Sequence, residues 1–85
     1  MTDAAIADKV FELLEKRRPE ATVCPSEVAR ALLPPDDAQS WRAAMPAVRR
    51  VAARLAAAGR LRVTQRGVPV AHAENAGGPI RLGRA

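Results

Sequence analysis

Eighty-five residues, 48% of them apolar, make one small domain and exclude a disordered chain. Nineteen of the apolar residues are alanine, which leaves twenty-two larger ones for a thin core, and no run of eighteen uncharged apolar residues exists to cross a membrane. The net charge of +5 is unevenly placed: residues 1–40 carry five basic and eight acidic side chains, whereas residues 41–85 carry nine arginines against the single acid Glu74.

In chain order, residues 3–18 read as an amphipathic helix. Ile6, Val10, Leu13 and Leu14 share one face at helical spacing, Phe11 widens it, and Thr2 or Asp3 can cap the start. Pro19 disfavours helical geometry at Arg18, so the helix is expected to stop there. Pro25 opens a second helix, because its missing N–H costs nothing at a first helical position. Cys24 then stands at the cap, with Glu27 three residues on as in a capping box, and Val28 and Leu32 face inward. Pro34 and Pro35 end that helix, and Asp36 and Asp37 supply turn and cap chemistry. Asp37 or Ser40 can start a short helical turn through Trp41 and Ala44, and Pro46 is expected to interrupt it and open a third helix. Val48, Val51, Ala52 and Leu55 make the inner stripe of that helix, Arg49, Arg50 and Arg54 project elsewhere, and Gly59 is its stop.

Leu61, Val63 and Gln65 alternate with Arg62, Thr64 and Arg66, the period of a half-buried strand. Arg66-Gly67 reads as a turn, and Val68–Val70 returns as an edge strand because Pro69 lacks a donor. The glycine-rich tail is briefly apolar at Ile80 and Leu82, and either adds a third short strand or wraps the domain. Residues 1–85 therefore form one mainly α domain with a small β-hairpin. Its core covers about 3–70, and 71–85 are an extension.

Three helices followed by a hairpin is the winged-helix order, in which the third helix enters the DNA major groove and the hairpin touches backbone or minor groove. Arg49, Arg50 and Arg54 fall on the expected recognition helix, and Arg62 and Arg66 on the expected wing. A guanidinium fork bonds guanine bidentately or clamps phosphate, so these five are the candidate DNA-binding residues. The expected function is double-stranded DNA binding, as in transcriptional regulators. The alternative is a non-catalytic winged-helix module that docks on an acidic protein partner. The stretch from Leu33 to Pro46 is longer than the turn of a standard helix-turn-helix. A lone winged helix makes few contacts, so a dimer or a partner would serve specificity.

The blocks CPSEVARAL, MPAVRRVAARLAAAGRLRVTQRG and GPIRLG resemble, in this order, an uncharacterised domain-of-unknown-function family of short bacterial proteins. The resemblance runs from about residue 6 to residue 82. It implies a winged-helix fold and no particular activity.

The remaining chemistry-bearing residues point to bland roles. Cys24 has no evident catalytic base, and a single cysteine excludes an internal disulfide, so the expected address is the cytoplasm. His72 stands without Cys or carboxylates at metal-ligand spacing and reads as a surface histidine, and Ser26 solvates a helix start. Arg30 is expected in a salt bridge and Trp41 in core packing. With Phe11 and Trp41 the only aromatics, no stacking platform for single strands or RNA is expected. With no nucleophile–base pair, metal cluster or cofactor fingerprint, the reading is of a protein that is not an enzyme and holds neither cofactor nor metal.

Overall fold

The computed structural model describes residues 1–33, 38–70 and 72–85. The expectations placed on Pro34, Pro35, Asp36 and Asp37 lie outside the described residues. The first helix, α1, covers Asp3–Glu15. Thr2 caps it, its Oγ1 accepting the Ala5 N–H at 3.1 Å, and Ile6, Val10 and Leu14 are its buried stripe. It ends three residues short of Arg18. At this end the Arg84 guanidinium donates to the Leu14 carbonyl at 2.7 Å, one of the last carbonyls of the helix, and to the Arg17 carbonyl beyond it at 3.2 Å.

A two-residue strand, β1 (Thr22–Val23), follows, and then α2 (Pro25–Leu32). Pro25 stands at the first turn of α2, and the expected capping box between Cys24 and Glu27 is present, the Glu27 carboxylate accepting the Cys24 N–H at 3.0 Å. The third helix, α3, is a single run, Ala38–Ala57, with Pro46 inside it. The expected interruption at Pro46 does not occur. A proline there removes one internal hydrogen bond, and Pro46 stands on the exposed side of the helix. On the opposite side Ala44, Val48, Val51, Ala52 and Leu55 are all buried, and this continuous stripe outweighs the local defect. Gly59, at φ +74°, ends α3 in a Schellman arrangement: the Arg60 N–H reaches the Leu55 carbonyl at 2.9 Å and the Gly59 N–H reaches that of Ala56 at 3.0 Å.

Strand β2 (Leu61–Gln65) buries Leu61 and Val63 and exposes Arg62, as its alternation requires. Arg66 and Gly67 both take positive φ, 53° and 79°, the turn whose twist matches a two-residue hairpin, and β3 (Val68–Pro69) returns along β2. A 3-10 turn, Ala73–Asn75, and an extended strip lead into β4 (Arg81–Arg84).

The sheet order is β1-β4-β2-β3, antiparallel at each pairing. Two features depart from the sequence reading. First, β1 was not expected at all. Second, the tail does add a short strand, one of its two expected outcomes, but its place is central: β4 lies between β1 and β2, with Leu82 opposite both Val23 and Val63. Ile80 and Leu82 are fully buried, so the core extends well past residue 70. The physical reason is simple: β4 is the strand that satisfies the backbone of both β1 and β2, and Pro69 confines β3 to the far edge. The chain is α+β and winged-helix-like: three helices over one face of a four-stranded sheet, with residues 66–70 and 72–80 belonging to the excursion between β2 and β4.

Candidate nucleic-acid interface

The solvent-facing side of α3 is read from its spacing. Arg42, Pro46, Arg50, Ala53, Arg54 and Ala57 fall on the side away from the buried stripe. Between the arginines stand only alanine and proline, and the sequence has no acid from Ala38 to Ala73.

The five arginines singled out from sequence have different fates. Arg49 leans toward the excursion, where its two terminal nitrogens donate to the Ala76 carbonyl at 2.7 Å and the Gly78 carbonyl at 2.8 Å. From the other side the Gln65 amide donates to the carbonyls of Gly77 and Pro79. The strip Ala76–Pro79 is thus held by alternate carbonyls, two bonded to α3 and two to β2, which ties the excursion to the helix. Arg50 and Arg54, one turn apart, converge on a single carboxylate: Arg50 Nη2 lies 2.9 Å from Asp3 Oδ1 and Arg54 Nη1 2.8 Å from Asp3 Oδ2. Arg62 lies exposed on the outer face of β2, and Arg66 at the hairpin turn. Among the described residues these two make no hydrogen bond, ion pair or ring contact. Arg66 and Arg81 line one groove with Gly77, Gly78 and Pro79.

Other cations lie outside the five candidate DNA-binding arginines. Arg30 does not form the expected salt bridge. It lies over the Trp41 ring at 4.3 Å, and Arg42 approaches the same ring at 5.0 Å, so the half-buried Trp41 packs on the core and also carries two cations. Arg60 stands over Phe11 at 5.1 Å. Arg81 donates to the Thr22 hydroxyl at 2.8 Å and to the Thr22 carbonyl at 3.0 Å. Side-chain donors were visible in the sequence, but their acceptors are backbone carbonyls remote along the chain, which no spacing rule reveals.

These contacts decide how much charge survives. Arg49, Arg81 and Arg84 bond neutral carbonyls, which orients their charge without cancelling it. Among the described residues, the arginines in ion pairs with carboxylates are Arg17, Arg50 and Arg54. Arg17 pairs with Glu27 and also donates to the Thr22 carbonyl at 3.0 Å, so one ion pair joins the end of α1, β1 and the start of α2. The hydrogen bond from Arg17 holds the Glu27 carboxyl below its ordinary pKa, and the Cys24 N–H adds to this against the cost of burial. Glu12 is lowered likewise, first by its hydrogen bond from Lys9 and then by Lys16. The Cys24 thiol accepts from the Ser26 hydroxyl at 3.1 Å, His72 is exposed, and no group of three metal-ligating side chains forms among the described residues.

The fold and this surface define a small winged-helix-like α+β domain with a strongly basic second half. A family model described as protein of unknown function, DUF3253, matches residues 3–85, and the chain belongs to that family. No curated protein matches the sequence. No helix among the described residues is long and apolar enough to cross a membrane.

Proposed function

We propose that the protein binds double-stranded DNA, with the outer face of α3 in the major groove and the β2–β3 hairpin on the flanking backbone or minor groove. The observation that carries this reading is that α3 itself contributes no acid to its outer face: Arg42, Arg50 and Arg54 are separated there only by alanine and proline, and Arg50 and Arg54 share the one carboxylate of Asp3. Small residues between guanidiniums let a helix approach a groove floor closely, and the guanidiniums reach bases or phosphates. Arg62 and Arg66 carry charge with no internal claim on it, on the element that flanks the groove in a winged helix. Arg49 serves this surface indirectly, by fixing the excursion against α3. The absence of aromatics from the outer sheet positions Thr22, Arg62, Thr64 and Arg81 favours duplex over single strands, since a stacking platform needs rings there.

The test is fluorescence anisotropy with a random-sequence duplex, from low to physiological salt. Five arginine–phosphate contacts correspond to a log–log slope of roughly −4 to −5. Replacing both Arg62 and Arg66 by Ala is expected to weaken binding at low salt by about tenfold and to flatten the slope by about 2. Absence of binding at low salt refutes the reading and assigns the basic face to an acidic protein surface instead.

A further inference from the structure

We infer that Arg50 and Arg54 form a built anion site that Asp3 fills in the free protein, so that the first turn of α1 competes with an incoming phosphate for the proposed recognition face. The inference rests on the DNA-binding reading for its ligand, a phosphodiester, but its geometry stands by itself. Two guanidiniums one helical turn apart grip the two oxygens of one carboxylate, at 2.9 and 2.8 Å. That is the way paired arginines hold a phosphate, one donor to each oxygen. The occupant comes from another element, forty-seven and fifty-one residues away in sequence.

The occupancy is weak enough to be displaced. The Asp3 side chain is 44% exposed and that of Arg54 67%, so water and ions reach the contact. Ion pairs this exposed contribute little individually. Asp3 is also held independently of the arginines, because it sits in the first turn of α1 behind the Thr2 cap, where an acid suits the helix dipole. A phosphate arriving at α3 therefore replaces Asp3 on Arg50 and Arg54 while α1 remains folded. The arrangement lowers affinity for sparse or isolated anions and leaves it to a duplex, which also engages Arg42, Arg62 and Arg66, to displace the carboxylate.

Four proteins test this: wild type, Asp3→Asn, Arg50→Ala/Arg54→Ala, and the combination of the three substitutions. Two probes are used, inorganic pyrophosphate followed by amide and guanidinium NMR shifts, and a random duplex followed by anisotropy. Asp3→Asn is expected to tighten both by about three- to tenfold, and the gain is expected to vanish in the Arg50→Ala/Arg54→Ala background. Glu15→Gln, at the other end of α1, makes the same change in net charge and is expected to alter affinity by less than about twofold. If Asp3→Asn leaves pyrophosphate affinity unchanged, or if its gain persists without the two arginines, the inference is overturned. If pyrophosphate responds as expected but no variant binds duplex, the anion site stands and the DNA reading falls.

Discussion

Arg49 separates two roles that a basic helix residue can play. Its two nitrogens are committed to the carbonyls of Ala76 and Gly78, at 2.7 and 2.8 Å, so Arg49→Ala removes two hydrogen bonds with a charged donor. Such bonds contribute about 1.5–3 kcal/mol each when shielded. One of the two is exposed, and water replaces part of it, so about 2–3 kcal/mol in total is the reasonable loss. A domain of this size has about 4–13 kcal/mol of stability in all. At about 4–8 °C per kcal/mol, the melting temperature should fall by about 8–24 °C. Arg49→Lys keeps one donor but cannot fork across both carbonyls, so it should fall about half as far. The assay is thermal unfolding by circular dichroism, joined to hydrogen exchange, which should show lost protection across residues 66–70 and 72–80 first. An Arg49→Ala protein that melts within about 2 °C of wild type but no longer binds duplex would refute this reasoning. It would make Arg49 a direct contact.

Two further outcomes follow from the packing and the charge pairs. Leu82→Ala empties a fully buried site where β4 crosses between β1 and β2, and should cost about 2–5 kcal/mol in urea or thermal unfolding; a loss below about 1 kcal/mol would contradict the central place of β4. Glu27, whose folded pKa is depressed by Arg17, contributes stability that is fully present above its unfolded value near 4.5 and disappears as pH falls through the folded value. The stability difference between wild type and Glu27→Gln should therefore be constant from pH 7 to about 5 and shrink as pH falls below the unfolded value near 4.5; a difference that stays constant throughout acid titration would exclude the pair as its source.

What the sequence discloses about this fold is what is local. Pro25 at a helix start, Gly59 at a helix stop, the alternation of Leu61–Gln65 and the Arg66-Gly67 turn each rest on neighbours within a few residues, and the structure has all four. The failures are non-local. Strand β1 is two residues long and has no period to detect. Strand β4 contributes only Leu82 to an apolar pattern, and its place depends on Val63 and Val23, partners nineteen and fifty-nine residues away. Pro46 argues for a break, yet its helix is continuous because burial along the opposite face outweighs one missing hydrogen bond.

The surface follows the same division. That the second half of the chain is basic is plain in the sequence, as are the arginines of α3 and the hairpin. Their partners are not. Arg49 reaches carbonyls in the excursion, and Arg50 and Arg54 reach the start of α1, contacts that exist only once the helices and the sheet have packed. Arg42 escaped notice because an expected break at Pro46 removed it from the recognition helix. The continuous helix puts it on the same outer face as Arg50 and Arg54.

The central claim, that this outer face binds duplex DNA, is tested most directly by the salt dependence of duplex binding in the wild-type protein. A log–log slope of about −4 to −5 is the predicted result, flattening when Arg62 and Arg66 are replaced. No binding at low salt, or binding whose slope ignores those two replacements, would contradict it.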